Sequence, residues 1–209
     1  MARYVIVSAG PVSPELAALV QPEDTVIACD AGWKNCEVLG LVPDLVVGDF
    51  DSAPQPQAAR DMVVLPHVKD DTDTHYAVKK AAALGADEVL LLGALGGARM
   101  EHTLGNLASG LWLEQHGVRA ALVNEKSRVT FVRPGERRAY PRDKYFYLSV
   151  FPLEGRAEGV DIAGAYYPLC GAALEVSYPL GVSNEFVADT VYIHVETGYL
   201  LVVETLNDQ

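Results

Sequence analysis

Positive charge is scarce in this chain. Its 209 residues carry 16 Lys and Arg against 28 Asp and Glu, a formal net charge of −12. Sequence-independent binding to nucleic acid needs a basic face that displaces phosphate counterions, so that class is excluded. Cysteine is scarce as well. Cys29, Cys36 and Cys170 are odd in number and lack a C-x-x-C spacing, which argues against a disulfide framework and a structural zinc site and makes them reduced core residues. No apolar run approaches the roughly 20 residues that span a bilayer. No basic N-terminal segment leads into a secretory apolar core. The expectation is a soluble cytoplasmic protein with neither membrane nor nucleic acid as partner. Two nucleotide signatures are also missing: there is no G-x-x-x-x-G-K-[ST], and the first apolar run ends in "SAGPVS" rather than G-x-G-x-x-G, so neither a P-loop nor a dinucleotide fingerprint is present. Internal repeats and low-complexity tracts are absent.

What the chain does have is a change of texture near its middle. Six short apolar runs come first: residues 4–7, 25–28, 45–47, 62–65, 89–92 and 121–123. Such continuous runs suit strands covered on both faces. "SPELAALVQ" offers Ser13 as a cap and Pro14 at a first helical position. "EHTLGNLASGLWLEQHG" puts Leu104, Leu107, Ala108 and Leu111 on one stripe before Gly117. Alternating strands and helices predict a mostly parallel sheet with helices on both faces. Beyond about residue 125 helical spacing gives way to β-rich runs such as "RVTFV", "KYFYLSVF", "DTVYIHVE" and "YLLVV", which read as antiparallel sheet in a small sandwich or barrel. The fold class is therefore an α/β N-terminal domain, residues 1–125, followed by an all-β, sandwich-like C-terminal domain, residues 126–209.

Two of the early runs end in carboxylates: "PDLVVGDFDS" carries Asp49 and Asp51, and the next unit leads into Lys69-Asp70-Asp71-Thr72-Asp73. Ligands of open parallel sheets sit outside the carboxyl ends of the strands. Clustered carboxylates raise one another's pKa, and keeping several ionised favours a bound cation. Hard oxygen ligands completed by substrate phosphates point to magnesium. The plainer readings are that Asp73 caps a helix and that Asp70-Asp71 is a solvated turn. A third element, "GALGGARMEHTLGN", again follows an apolar run. Gly96 and Gly97 permit close backbone approach, Arg99 can fork onto a phosphate, and Glu101 opens a helix. Without a P-loop, phosphates fall to the metal, Lys69, Arg99 and backbone amides.

"CDAGWKNCEVLGLVPDLVVGDFDS", "KDDTDTHYAV", "GGARMEHTLGN", "YYPL" and "GVSNEF" resemble, in order, the motifs of bacterial thiamine pyrophosphokinases, from about residue 28 to the C-terminus. The resemblance implies transfer of the β,γ-pyrophosphoryl group of ATP to the hydroxyethyl oxygen of thiamine, giving thiamine diphosphate and AMP. It implies an ATP- and metal-binding catalytic domain followed by a thiamine-binding β-sandwich, working as a homodimer with thiamine near the subunit interface. Asp49, Asp51 and Asp73 match the family's metal-binding positions. Asp51, Asp71, Asp73 and Arg99 are the implied catalytic set, with Asp70 and Asp71 completing the site or accepting the alcohol's proton, and Lys69 and Arg99 stabilising charge as AMP departs. Asp30, Thr72, Glu101 and His102 join Asp49, Lys69, Asp70 and Arg99 as ligand-binding positions. Two departures stand out: Glu101 replaces an expected aspartate, and Ala31 and Trp33 stand where a G-G-A run is common.

For thiamine the segment of interest is "GVSNEF". A cationic thiazolium and an aminopyrimidine call for an aromatic face and hydrogen-bonding side chains. Ser183 and Asn184 match the family motif. Phe186 is a stacking candidate, with a core-facing strand position as its alternative. His75 and His102 invite a catalytic role, though histidines near a site are commonly structural. Two other functions stay open: a metal-dependent phosphohydrolase using an aspartate of GDFDS as nucleophile, and a non-enzymatic thiamine or nucleotide sensor.

Overall fold

The six early runs become strands β1 Arg3–Val7, β2 Thr25–Cys29, β3 Leu45–Gly48, β4 Asp61–Val64, β5 Glu88–Leu92 and β6 Arg119–Val123. The computed structural model describes residues 1–49, 60–66 and 70–207, and its chain forms two compact units, Met1–Glu125 and Lys126–Gln209. In the first unit the strands pair in parallel in the order β6-β5-β1-β2-β3-β4. Parallel neighbours need crossovers, which place helices on the sheet faces. These are a 3-10 helix, Pro14–Leu19, and the α-helices α1 Gly32–Val38, α2 Asp73–Ala83 and α3 Met100–Gln115. Val5, Val7, Val26, Ala28, Leu90 and Leu92 bury one face against Leu16, Cys36 and Leu39. Strand alternation turns Ile6, Ile27 and Leu91, all fully buried, to the other face. There α2 packs over β1, β2 and β3, and α3 over β6.

Several sequence expectations are corrected here. The segment after Ser13 is a 3-10 helix, and the Ser13 side chain makes no capping bond. The expected apolar stripe of α3 is not its buried face. Leu104 is 60% exposed, and the buried residues are Asn106, Ser109, Gly110, Leu113 and Glu114. Small and polar side chains let α3 approach closely, and each polar one is satisfied. Asn106 Nδ2 donates to Ala94 O at 2.9 Å, Ser109 Oγ meets His75 Nδ1 at 3.0 Å, and Glu114 Oε1 accepts from Ala120 N at 2.8 Å. Cys29 and Cys36 are buried as expected, but Cys170 is exposed.

The second unit contains β7 Ser127–Val132, β8 Arg137–Pro141, β9 Tyr147–Pro152, β10 Arg156–Ala163, β11 Leu169–Glu175, β12 Asn184–Glu185, β13 Thr190–His194 and β14 Leu200–Thr205. They form two antiparallel sets, β12-β9-β14-β7 and β11-β10-β13-β8. Leu148, Val150, Leu200 and Val202 from one set share a core with Ile162, Leu174, Val191 and Ile193 from the other, the arrangement of a sandwich. Across β7 and β14, Arg128 Nε and Nη2 donate to the Glu204 carboxylate at 2.6 and 2.7 Å. Glu204 is fully buried, and the Tyr145 ring stacks 4.9 Å from the Arg128 guanidinium carbon. Two charge-assisted bonds offset the burial of that carboxylate, and the same bonds are the main reason the Arg128 pKa is raised.

Candidate active site

β1 and β5 are neighbours, but the chain leaves β1 toward β2 and leaves β5 toward β6. Diverging exits open a crevice beyond the carboxyl ends of the strands, the usual ligand position in such sheets. A cavity of about 1000 Å3 lies there. Its walls come from residues 8–12 after β1, Asp30 and Asn35 after β2, Asp49 after β3, the start of α2, residues 93–94 and 96–99 after β5, and the start of α3.

Asp49 directly follows β3 and lines the cavity, as does Asp73 at the first position of α2. The cap of α2 is not Asp73 but Thr72, whose Oγ1 accepts from His75 N at 3.1 Å. Asp73 therefore stands at the positive end of the helix dipole, where a carboxylate is favoured. Asp30 also lines the cavity and sits in the left-handed region at φ 45°. Its Oδ1 is buried and accepts no hydrogen bond from the described residues, a costly state for a carboxylate oxygen unless a cation or donor approaches. Beneath these groups the buried hydroxyls of Ser8 and Thr74 meet at 2.8 Å. Cys29 is in the lining too, but burial, with the Asp73 charge adding to it, pushes its thiol far above the ordinary range. It is not a nucleophile.

On the β5 side, Arg99, Glu101 and His102 all line the cavity. Arg99 Nε donates to Glu101 Oε1 at 2.7 Å, both side chains being exposed. That bond is the main reason the Glu101 pKa falls below the usual carboxylate value. Asp70, Asp71 and His75 are placed elsewhere. Asp71 is paired with Lys79 Nζ at 2.7 Å, and neither it nor the exposed Asp70 is in the cavity lining. Asp51 and Lys69 lie outside the described residues. His75 is a helix–helix contact: besides Ser109 it meets the Trp112 ring edge-on at 5.6 Å, and burial lowers its pKa.

Among the described residues, no three His, Cys, Asp or Glu side chains gather closely enough to hold a metal ion by themselves. Magnesium usually takes one or two carboxylates and completes its shell with water and phosphate. A cavity lined by Asp30, Asp49 and Asp73, with one buried Asp30 oxygen lacking a donor among the described residues, fits such an ion.

In the second unit, Ser183 is exposed at φ 58°, and its N–H donates to Ser149 Oγ at 2.9 Å. Asn184 is buried. Its Oδ1 accepts from Tyr167 N at 2.8 Å and from Glu185 N at 3.0 Å, and its Nδ2 donates to Tyr167 O at 2.7 Å. The amide is thus spent on holding the Tyr167 backbone. The stacking role expected of Phe186 is corrected: the side chain is 7% exposed and belongs to the sandwich core, because strand alternation next to Glu185 turns it inward. Tyr166 and Tyr167, next to the Asn184 amide, are both exposed and pack edge to face at 4.9 Å. Sequence reasoning missed Asn35, Ser8 and Thr74. The strand-end rule could have found Ser8, which directly follows β1; nothing in a single sequence marks Asn35.

Residues 16–122 match the family profile described as thiamin pyrophosphokinase, catalytic domain, and residues 138–200 match that of thiamin pyrophosphokinase, vitamin B1 binding domain. No curated protein matches significantly. Among solved structures, thiamine pyrophosphokinase from Bacillus subtilis superposes with a TM-score of 0.89 at 22% identity, over 98% of this chain and 99% of that one. The Geobacillus thermodenitrificans thiamin pyrophosphokinase gives 0.86 at 25% identity, over 100% and 99%. The yeast thiamin pyrophosphokinase gives 0.79 at 12% identity, over 98% and 86%, a likeness of fold alone. With the catalytic-domain profile covering more than half of its length, the chain belongs to the thiamin pyrophosphokinase family.

Proposed function

We propose that the cavity at the β1–β5 edge is where this thiamine diphosphokinase moves the pyrophosphoryl group of ATP onto the hydroxyethyl oxygen of thiamine, releasing AMP. The observation that carries the reading is the convergence of Asp30, Asp49 and Asp73 on one cavity at the switch point of a parallel sheet. Pyrophosphoryl transfer asks little covalent chemistry of a protein; it needs an aligned alcohol and neutralised phosphates. Asp49 and Asp73, with Asp51 of GDFDS, would hold magnesium, and Asp30 would turn its buried oxygen toward the same cation. Bound there, magnesium supplies charge neutralisation on the phosphate oxygens. Arg99, steadied by Glu101, stabilises the charge that builds on the departing AMP, and Lys69 assists it. The alcohol's proton passes to a carboxylate of this edge.

Thiamine binding is assigned to the second unit, where the exposed Tyr166 and Tyr167 rings offer faces for a thiazolium cation. Asn184 orients that pair through the Tyr167 backbone, and Ser183 adds a hydroxyl beside it. The working form is a homodimer in the cytoplasm, a reading supported by family resemblance; among the described residues no helix is long and apolar enough to cross a membrane. The test is an assay of purified protein with ATP, magnesium and thiamine in which nucleotide products are separated. AMP and thiamine diphosphate in equal amounts, formed only when thiamine is present, support the reading. ADP with thiamine monophosphate, or phosphate release with a phosphoenzyme burst, overturns it.

A further inference from the structure

In the loop leaving β1, Ser8 and Gly10 each have both backbone groups hydrogen-bonded. Ser8 N donates to Leu92 O and Gly10 N to Gly93 O, each at 2.8 Å. The two carbonyls beside them share one donor: Asn35 Nδ2 reaches Ser8 O at 2.6 Å and Gly10 O at 2.7 Å. Because both partners are carbonyl oxygens, only the nitrogen of the amide can face them, which fixes the orientation of Asn35. The backbones approach too closely here for side chains to intervene. A Cβ on Gly10 would collide with the Gly93 carbonyl, and one on Gly93, itself at φ 64°, would collide with the Ser8 carbonyl. A Cβ on Gly32 at the start of α1 would strike Val7 O. Helix α1 and the exits of β1 and β5 thus meet at one node, with the Asn35 amide binding it. The Ala9 N–H, between the two bonded carbonyls, has no acceptor among the described residues.

We infer that Asn35 is a positioning residue for the phosphates of the nucleotide. By drawing the Ser8 and Gly10 carbonyls onto its own N–H groups, it keeps their negative ends from facing an anion and leaves the Ala9 N–H as the loop's contribution to binding. A backbone N–H without an acceptor of its own attracts a phosphate oxygen, whereas an uncompensated carbonyl dipole facing the anion repels it. The inference rests on the nucleotide reading above and adds to it a residue outside the carboxylate and Arg99 sets.

The test compares wild type, Asn35→Ala and Asn35→Asp by calorimetric binding of a nonhydrolysable ATP analogue with magnesium and of adenosine, and by steady-state kinetics. The expected result is an analogue Kd weakened about tenfold in Asn35→Ala and further in Asn35→Asp, where two donors become acceptors. Adenosine affinity should be unchanged, and KM for ATP should rise while KM for thiamine stays within about twofold. A merely structural role would lower all of these together. Wild-type analogue affinity in a folded variant, or equal losses for analogue and adenosine, overturns the inference. Should neither variant fold, hydrogen exchange on the wild type decides: the Ala9 amide gains protection when the analogue binds, and no gain with the analogue bound overturns it. A wild type that binds no analogue at all removes the nucleotide reading itself, and this inference with it.

Discussion

Gly48 and Asp30 stand back to back at the ends of adjacent strands: a Cβ on Gly48 would lie 2.9 Å from Asp30 Cα, and Asp30 N donates to Val47 O at 2.7 Å. This contact holds Asp30 at φ 45° with a buried oxygen lacking a donor among the described residues. Asparagine tolerates that backbone region as aspartate does and carries no charge to bury. Asp30→Asn is therefore expected to stabilise the protein by about 1 kcal/mol, a rise of about 2–4 °C in Tm, while lowering kcat at least about tenfold. A melting curve and a rate on the same preparation check it. Loss of activity together with a lower Tm would make Asp30 a structural residue.

The Thr72 cap carries a separate expectation. Thr72→Ala removes the acceptor of the His75 amide and should cost about 1 kcal/mol, whereas Thr72→Ser, which keeps an oxygen there, should cost under about half of that. Urea midpoints of the two variants provide the comparison. Equal losses would mean that the hydroxyl's bond is not what matters.

His75 should make stability depend on pH. Burial, opposed by Asp71 and reinforced by Lys79, lowers its pKa below the ordinary 6.5. The unfolded chain then binds the proton more readily than the folded one, so the contribution of neutral His75 is complete above the ordinary value and is lost as pH falls through the folded pKa. Between pH 7.5 and 5, wild type should lose more stability than His75→Gln, which keeps a polar group opposite Ser109 but does not titrate. Parallel losses in the two proteins would exclude His75 as the source.

Breaking the buried pair of the second unit should be severe. Arg128→Met leaves the Glu204 carboxylate, fully buried, without its two strongest donors, at a cost of about 3–5 kcal/mol. Arg128→Met with Glu204→Leu should recover most of that loss. A double variant no more stable than the single one would point to packing around the Tyr145 ring instead.

The strands were legible because burial on both faces writes continuous apolar runs, and the rule that ligands sit at strand ends led to Asp49 and Asp73, both of which line the cavity. What was not legible has physical reasons. The buried face of α3 is polar and small because its partners are hydrogen-bonding groups on α2 and β6, so hydrophobic spacing pointed to the wrong stripe. Phe186 alternates inward and Asn184 spends its amide on a neighbouring backbone; motif position alone distinguishes neither from a ligand contact. Asn35 acts through two carbonyls 27 and 25 residues away in sequence, a relation that exists only once β1 and α1 are packed together.

The central claim, that nucleotide and magnesium occupy the β1–β5 edge, is tested most directly by a crystal structure with a nonhydrolysable ATP analogue and magnesium. The account expects the triphosphate between residues 8–12 and 93–99, with magnesium bonded to oxygens of Asp49 and Asp73. An analogue bound at another edge of the sheet or in the second unit, with Asp49 and Asp73 touching neither metal nor phosphate, would contradict it.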